Sequence, residues 1–304
     1  MMTPAFQEEL TGFSPVAAAS LNNIKAQQGR LAPEQAHIFM AELSIPIDQL
    51  ATRLLPLAAS MSIHPISHFS VGAIVEGYRE QGLGPLYFGA NLEIPGQPLK
   101  MSIHAEQSAI CNAWSQGETR LRRLIVNETP CGHCRQFLNE LNKIDSTELM
   151  VNRSGSDQAS IYSMQDLLPS AFGPNDLKQK QRLLLADPVA LTLPSKHQED
   201  DLARAATQAA SQSYAPYSGC YSGVALKLED GRIITGRYAE NAAFNPSMQA
   251  VESALVNWRL AALEQPCTKV VDAVLVENNG RINHQATTAS ILGGYGITLR
   301  YIPL

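Results

Sequence analysis

The sequence predicts an α/β protein: two repeated three-layer domains, each a mixed β-sheet flanked by helices, behind a small N-terminal helical segment. Three observations carry this. Short segments recur in the same order about 150 residues apart, the mark of a duplicated domain. Within each copy, short strand-like runs alternate with segments whose apolar residues return at helical spacing. Hydrophobic residues make up 45% of the 304 residues and charged residues 17%, enough apolar surface for packed cores.

Taken in order, residues 1–50 hold amphipathic segments interrupted at Pro15, Pro33 and Pro46, and form the helical preface. The first domain, 51–166, opens on the helical LATRLLPLAASM and a Pro-Ser turn, ASMSIHPIS. VGAIVEG and LYFGANL then read as a hairpin of short β-rich runs. The helix AEQSAICNAWSQG, the buried strand LRRLIVN and a helix beginning at CGHCRQF complete the copy. Residues 167–195 carry proline and glycine between the copies and form a connector. The second domain, 196–304, repeats the plan. ASQSYAPYS answers ASMSIHPIS, CYSGVALKLEDG answers HFSVGAIVEG, and RYAENAAFNP answers YFGANLEIP.

Charge and composition narrow the function. A net charge of −5 lacks the basic face of a nucleic-acid binder, and TRLRR at 119–123 is a short solvated knot. The N-terminus has neither the basic start nor the apolar run of a signal peptide, and no stretch is long enough to span a bilayer. Five cysteines suggest no disulfide framework. We expect a cytoplasmic protein with a small-molecule partner and neither nucleic acid nor membrane.

The chemistry concentrates in SIHAEQSAI and TPCGHCRQF. Cys131 and Cys134 at a helix start suit a metal better than a redox pair, because the helix dipole favours thiolates that can share one ion. His104, at the start of another helix, supplies a third ligand. Two cysteines and one histidine leave the fourth position of a tetrahedral zinc to water, which is a catalytic arrangement. Glu106, two residues past His104, has no necessary role as a ligand and is placed to move that water's proton. The alternative is a closed structural site with His133 or Cys111 as fourth ligand. Glu106 favours the catalytic reading.

HAE followed by PCGHC is the signature of zinc-dependent nucleobase deaminases. With FGANLE, and with PYS and YAENAAFNP in the second copy, the chain resembles the cytidine deaminases of nucleoside salvage, in particular the long bacterial form with a broken second copy. The resemblance covers nearly the whole chain. It implies hydrolysis of cytidine and deoxycytidine to uridine and deoxyuridine, one zinc per chain in the first domain, and a homodimer. It implies that Asn91 and Glu93 grip the ribose hydroxyls, that Phe69 packs on the pyrimidine and that Phe172 closes the pocket. Phe244 is our choice for a contact with the partner's pocket. In the second copy we align Gln249 with His104, Val251 with Glu106 and Ala243 with Glu93. Glu252 then falls one residue out of phase and His284 near the Cys134 position, leaving a domain without a metal site. The rival class is a zinc-stapled binding protein without catalysis.

Overall fold

The computed structural model describes residues 24, 27–153, 159–263 and 269–304. The expected helical run around Pro15 lies outside the described residues. The chain divides into two compact units. One comprises 1–93, 102–171 and 260–266, and the other 94–101, 172–259 and 267–304.

The first unit is built on a six-stranded mixed sheet, ordered β1-β3-β2-β4-β5-β6. Its strands are β1 (Arg30–Leu31), β2 (Gly72–Gly77), β3 (Leu86–Ala90), β4 (Leu121–Val126), β5 (Glu148–Val151) and β6 (Ser160–Tyr162). The hairpin pairs Ile74 with Phe88, and β4 joins the other side of β2 with Ile125 opposite Ile74. Strand β5 runs parallel to β4. Every residue of β2 and β3 is buried, as the central strands of a sheet covered on both faces must be. The N-terminal segment is not purely helical, because Arg30 and Leu31 add an edge strand beside β3. Pro33 and Pro46 mark helix starts: α1 (Pro33–Leu43) begins on Pro33, and Pro46 caps α2 (Ile47–Ala59). A ring that fixes φ and offers no N–H fits a first turn.

Two glycines set the layers. Gly72 faces α2, where an added Cβ would lie 2.4 Å from Ala59 N and 2.8 Å from Leu55 O. Gly89 faces α3 (Ala105–Ser115), where a Cβ would lie 2.1 Å from Ala109 N. Gly72 pairs with Ala90, and Gly89 with Ala73. Paired residues share a face and successive residues alternate, so α2 and α3 cover opposite faces. The three-layer expectation holds. Two further helices, α4 (Gly132–Leu138) and α5 (Met164–Leu167), follow β4 and β6.

The second unit repeats this on four strands ordered β10-β9-β7-β8: β7 (Ser222–Leu228), β8 (Ile233–Arg237), β9 (Val270–Glu277) and β10 (Leu299–Pro303). Its helices are α6 (Asp201–Ser211), α7 (Ala250–Ala261) and α8 (Gln285–Gly293). Gly223 lies against Ala206 and Ala210 of α6, and Gly236 against Ala250 and Ala254 of α7. Leu202, Ala203 and Ala206 pack with Ala225, Val274, Val276 and Ile302 in one core. Between the copies, residues 168–194 form no helix or strand.

These glycine anchors also align the copies, and the alignment corrects two sequence assignments. Leu92 bridges Ile63 and Ile103, while Ala239 bridges Tyr214 and Met248. Glu240, not Ala243, is therefore the counterpart of Glu93. The offset between copies shortens from Gly72/Gly223 to Gly89/Gly236, so the match of Asn91 with Asn241, which set Ala243 opposite Glu93, overshoots. The same frame confirms Gln249 opposite His104 and Val251 opposite Glu106. Glu252 becomes the counterpart of Gln107: each carboxyl or amide oxygen accepts the backbone N–H three residues back, from Gln249 at 2.7 Å and from His104 at 3.2 Å. Glu252 is a helix cap. His284 caps α8 as Cys131 caps α4, so it occupies the Cys131 position rather than that of Cys134.

Candidate active site

The site forms where two helices begin. His104 is the N-cap of α3 and Cys131 the N-cap of α4, with Cys134 one turn further on. Strand β4 delivers the second helix. Asn127, just past its end, exchanges hydrogen bonds with Gly72 (N–H to Gly72 O, 3.2 Å; Oδ1 from Gly72 N–H, 2.9 Å). Arg135 then fixes the turn, donating from Nε to Pro130 O at 2.7 Å and from NH1 to Leu167 O at 2.8 Å. Asn127 and Arg135 are positioning residues that our sequence reading missed. Their partners are backbone atoms, which residue identity does not mark.

The three donors converge. His104 Nδ1 lies 3.4 Å from Cys131 Sγ and 3.2 Å from Cys134 Sγ, and the three ligand atoms fall within 4.8 Å of one another. Cys111 and His133 fall outside this cluster; the His133 ring instead lies beside that of His104, centroids 5.6 Å apart. Two thiols and one imidazole at such spacing are a donor set that fits zinc. The Cys131 thiol is drawn down to about 3 by the hydrogen bond from Cys134, with His104 adding to it. Cys134 is pushed up by its bond to Cys131 and by burial. His104 is raised by its bond to Cys131. A thiolate is thus favoured before any ion arrives.

Glu106 sits in the first turn of α3 and is 4% exposed. Burial raises its carboxyl, against the nearby His104 charge and the Cys134 thiol. A buried carboxyl beside a metal-ligand cluster keeps its proton more readily than one in water, which suits a group that must both take and give one.

Asn91 and Glu93 both face the loop before β2. Asn91 Oδ1 accepts the N–H of Val71 at 2.8 Å, and its amide donates to Phe69 O at 3.0 Å. Glu93 accepts from Ile66 N–H at 2.6 Å and Ser67 N–H at 3.1 Å. Burial works to raise the Glu93 carboxyl, but the Ser67 and Ile66 bonds prevail and leave it lowered. Both side chains therefore brace the loop that carries Phe69. Phe69 is 53% exposed, a loop ring rather than a core one. Phe172 and Phe244 belong to the second compact unit and are also exposed. Phe244 has a positive φ of 62°.

Comparison with known proteins agrees with this geometry. Two matches to models of the "cytidine and deoxycytidylate deaminase zinc-binding region" cover residues 46–149 and 164–289. A cytidine deaminase of Photorhabdus laumondii is 46% identical over 267 residues, covering 88% of this chain and 86% of that protein. One from Serratia proteamaculans is 46% identical over 269 residues, covering 86% and 85%. One from Sodalis glossinidius is 42% identical over 309 residues, covering 97% and 96%. With a paired-cysteine and histidine centre in one copy of a duplicated fold, and relatives matched along nearly their full length, this chain belongs to the cytidine deaminase family.

Proposed function

We infer that this protein is a zinc-dependent cytidine deaminase that hydrolyses cytidine and deoxycytidine to uridine and deoxyuridine and releases ammonia. The observation that carries the reading is the convergence of His104, Cys131 and Cys134 beside the buried carboxyl of Glu106. These three side chains would hold the zinc, which when bound would supply the Lewis acidity that lets water give up a proton near neutral pH. Glu106 takes the proton from that water. It delivers that proton to N3 of the cytosine ring, which makes C4 more electrophilic, and later takes the second proton of the added water from the C4 hydroxyl and passes it to the departing amine. Water enters, ammonia leaves, and Glu106 ends as it began. Asn91 and Glu93 grip the ribose hydroxyls with capacity left over from bracing the loop. Phe69 packs on the pyrimidine.

The acidic net charge of −5 supports a nucleoside over a nucleotide or nucleic acid as substrate. The remaining reading is a cytoplasmic homodimer of nucleoside salvage, with Phe244 reaching the partner's pocket. Among the described residues no helix is long and apolar enough to cross a membrane. The test is the loss of absorbance when the purified protein meets cytidine, with zinc measured on the same sample. Conversion with zinc present is expected. A zinc-loaded protein that converts neither cytidine nor deoxycytidine would overturn the reading in favour of a binding protein.

A further inference from the structure

The second unit contains its own convergence of ligand atoms, at positions that are mostly not those of the first. Cys220 lies in the loop before β7, Glu277 is the last residue of β9, and His284 caps α8. All three are buried, and their ligand atoms lie within 4.8 Å of one another. His284 Nδ1 is 2.8 Å from Glu277 Oε2, and Cys220 Sγ is 3.8 Å from that oxygen and 3.9 Å from that nitrogen. We propose that Cys220, Glu277 and His284 form a second metal site, for a zinc-class divalent ion with a structural role.

The spacing suits it. A tetrahedral ion bonded to sulfur at about 2.3 Å and to nitrogen or oxygen at about 2.0–2.1 Å separates sulfur from its neighbours by about 3.5 Å, and nitrogen from oxygen by about 3.3 Å. Shifts of roughly half an ångström convert the observed triangle into that one. The ligands are also oriented from behind. Glu277 Oε1 accepts from Asn283 Nδ2 at 2.8 Å and from the Tyr301 hydroxyl at 3.0 Å, which turns Oε2 toward His284 and Cys220. The Tyr238 ring packs on the His284 imidazole with centroids 4.4 Å apart. Such outer partners are what fix metal ligands in place.

The cysteine's surroundings point the same way. The groups around Cys220 Sγ are Glu277 Oε2, His284 Nδ1 and the carbonyl oxygens of Ile282 at 3.5 Å and Asn278 at 3.7 Å. A thiol has one proton and satisfies one acceptor, whereas a cation at this point serves several. The loop closes over the sulfur at Gly280, where an added Cβ would lie 2.6 Å from Cys220 Cβ. A thiolate and a carboxylate neutralise a divalent ion, so loading releases the thiol proton and moves the imidazole proton to Nε2. Val251 stands at the position that Glu106 holds in the first unit, which fits a structural rather than a catalytic ion. The ion would tie the end of β9, the loop before β7 and the start of α8 together. The expectation of a metal-free second domain considered only the counterparts of His104, Cys131 and Cys134, and two of these donors come from elsewhere.

The test is metal content by elemental analysis after saturation with Zn2+ and removal of excess. About two equivalents per chain are expected for the natural sequence, and about one for Cys220→Ser. The Cys131→Ala/Cys134→Ala double variant should keep about one equivalent and, loaded with Co2+, still show thiolate-to-cobalt absorption that Cys220→Ser then abolishes. If the double variant does not fold, the comparison of the natural sequence with Cys220→Ser decides alone. Saturation near one equivalent, unchanged by Cys220→Ser, would overturn the proposal and leave Cys220, Glu277 and His284 as a hydrogen-bonded cluster.

Discussion

Glu93 and its counterpart Glu240 allow bracing to be separated from substrate binding within one chain. In Glu93→Gln an amide oxygen at the Oε2 position can still accept from Ile66 N–H at 2.6 Å and Ser67 N–H at 3.3 Å, and only the 3.1 Å contact of Ser67 N–H with Oε1 is lost. Both N–H groups keep an acceptor but lose the charge on it, and the Ser67 bond lengthens, at a cost of about 1–2 kcal/mol. Glu240→Gln is the matched case, with the same pair of N–H groups on Oε2. Oε2 takes both Tyr217 N–H at 2.7 Å and Ser218 N–H at 3.1 Å, while Oε1 faces the Ser218 hydroxyl. An amide can meet all three, so about 1 kcal/mol is lost with the charge. Thermal unfolding should record a loss of roughly 2–8 °C for the first variant and about 2–4 °C for the second. Steady-state kinetics on cytidine then separate the roles. Glu93→Gln should lower kcat/KM by about 10–100-fold through a lost ribose hydroxyl bond, and Glu240→Gln should leave it within about twofold. A Glu93→Gln enzyme that folds, keeps its zinc and retains kcat/KM would refute the binding role and leave Glu93 as a loop brace alone.

Glu106→Gln should retain zinc and bind cytidine while kcat falls by about 10²–10⁴-fold or more, read by turnover with metal analysis on the same sample. Cys131→Ala should lose the zinc of the first unit together with activity, which elemental analysis against the natural sequence checks. Burial pushes the Glu252 carboxyl up to about 8 from 4.5. The folded chain therefore holds a proton that the unfolded chain has released, and stability falls as pH rises between those two values. Glu252→Gln keeps the cap, as Gln107 does at His104, and should be the more stable protein above about pH 8, its advantage vanishing toward pH 4.5; denaturant melts across that range decide it. Gly89→Ala should destabilise by about 3 kcal/mol or more, because its Cβ would lie 2.1 Å from Ala109 N, with backbone on both sides. A melting temperature unchanged by that substitution would contradict the close packing of α3 on the sheet.

Much of this protein was readable without coordinates. The duplication, the α/β class and the four residues His104, Glu106, Cys131 and Cys134 follow from local patterns: recurring words, helical periodicity, and donors spaced at helix starts. Local chemistry suffices there because a helix N-terminus fixes where its first residues point. The bracing by Asn127 and Arg135 was not readable, since each bonds to backbone atoms, and carbonyl groups leave no trace in residue identity. Nor was the true partner of Glu93. Loops shorten between the copies, and only the contacts of Gly89 and Gly236 with their helices fix the register. Glu252 shows the same limit. As letters it is a displaced catalytic glutamate, and in the fold it is the cap that Gln107 provides in the first copy. Sequence by itself determined which chemistry one copy performs, because that chemistry lies in short segments. Tertiary structure alone decided that Cys220, Glu277 and His284 meet, because a strand end, a loop and a helix cap up to 64 residues apart become neighbours only when the sheet has formed.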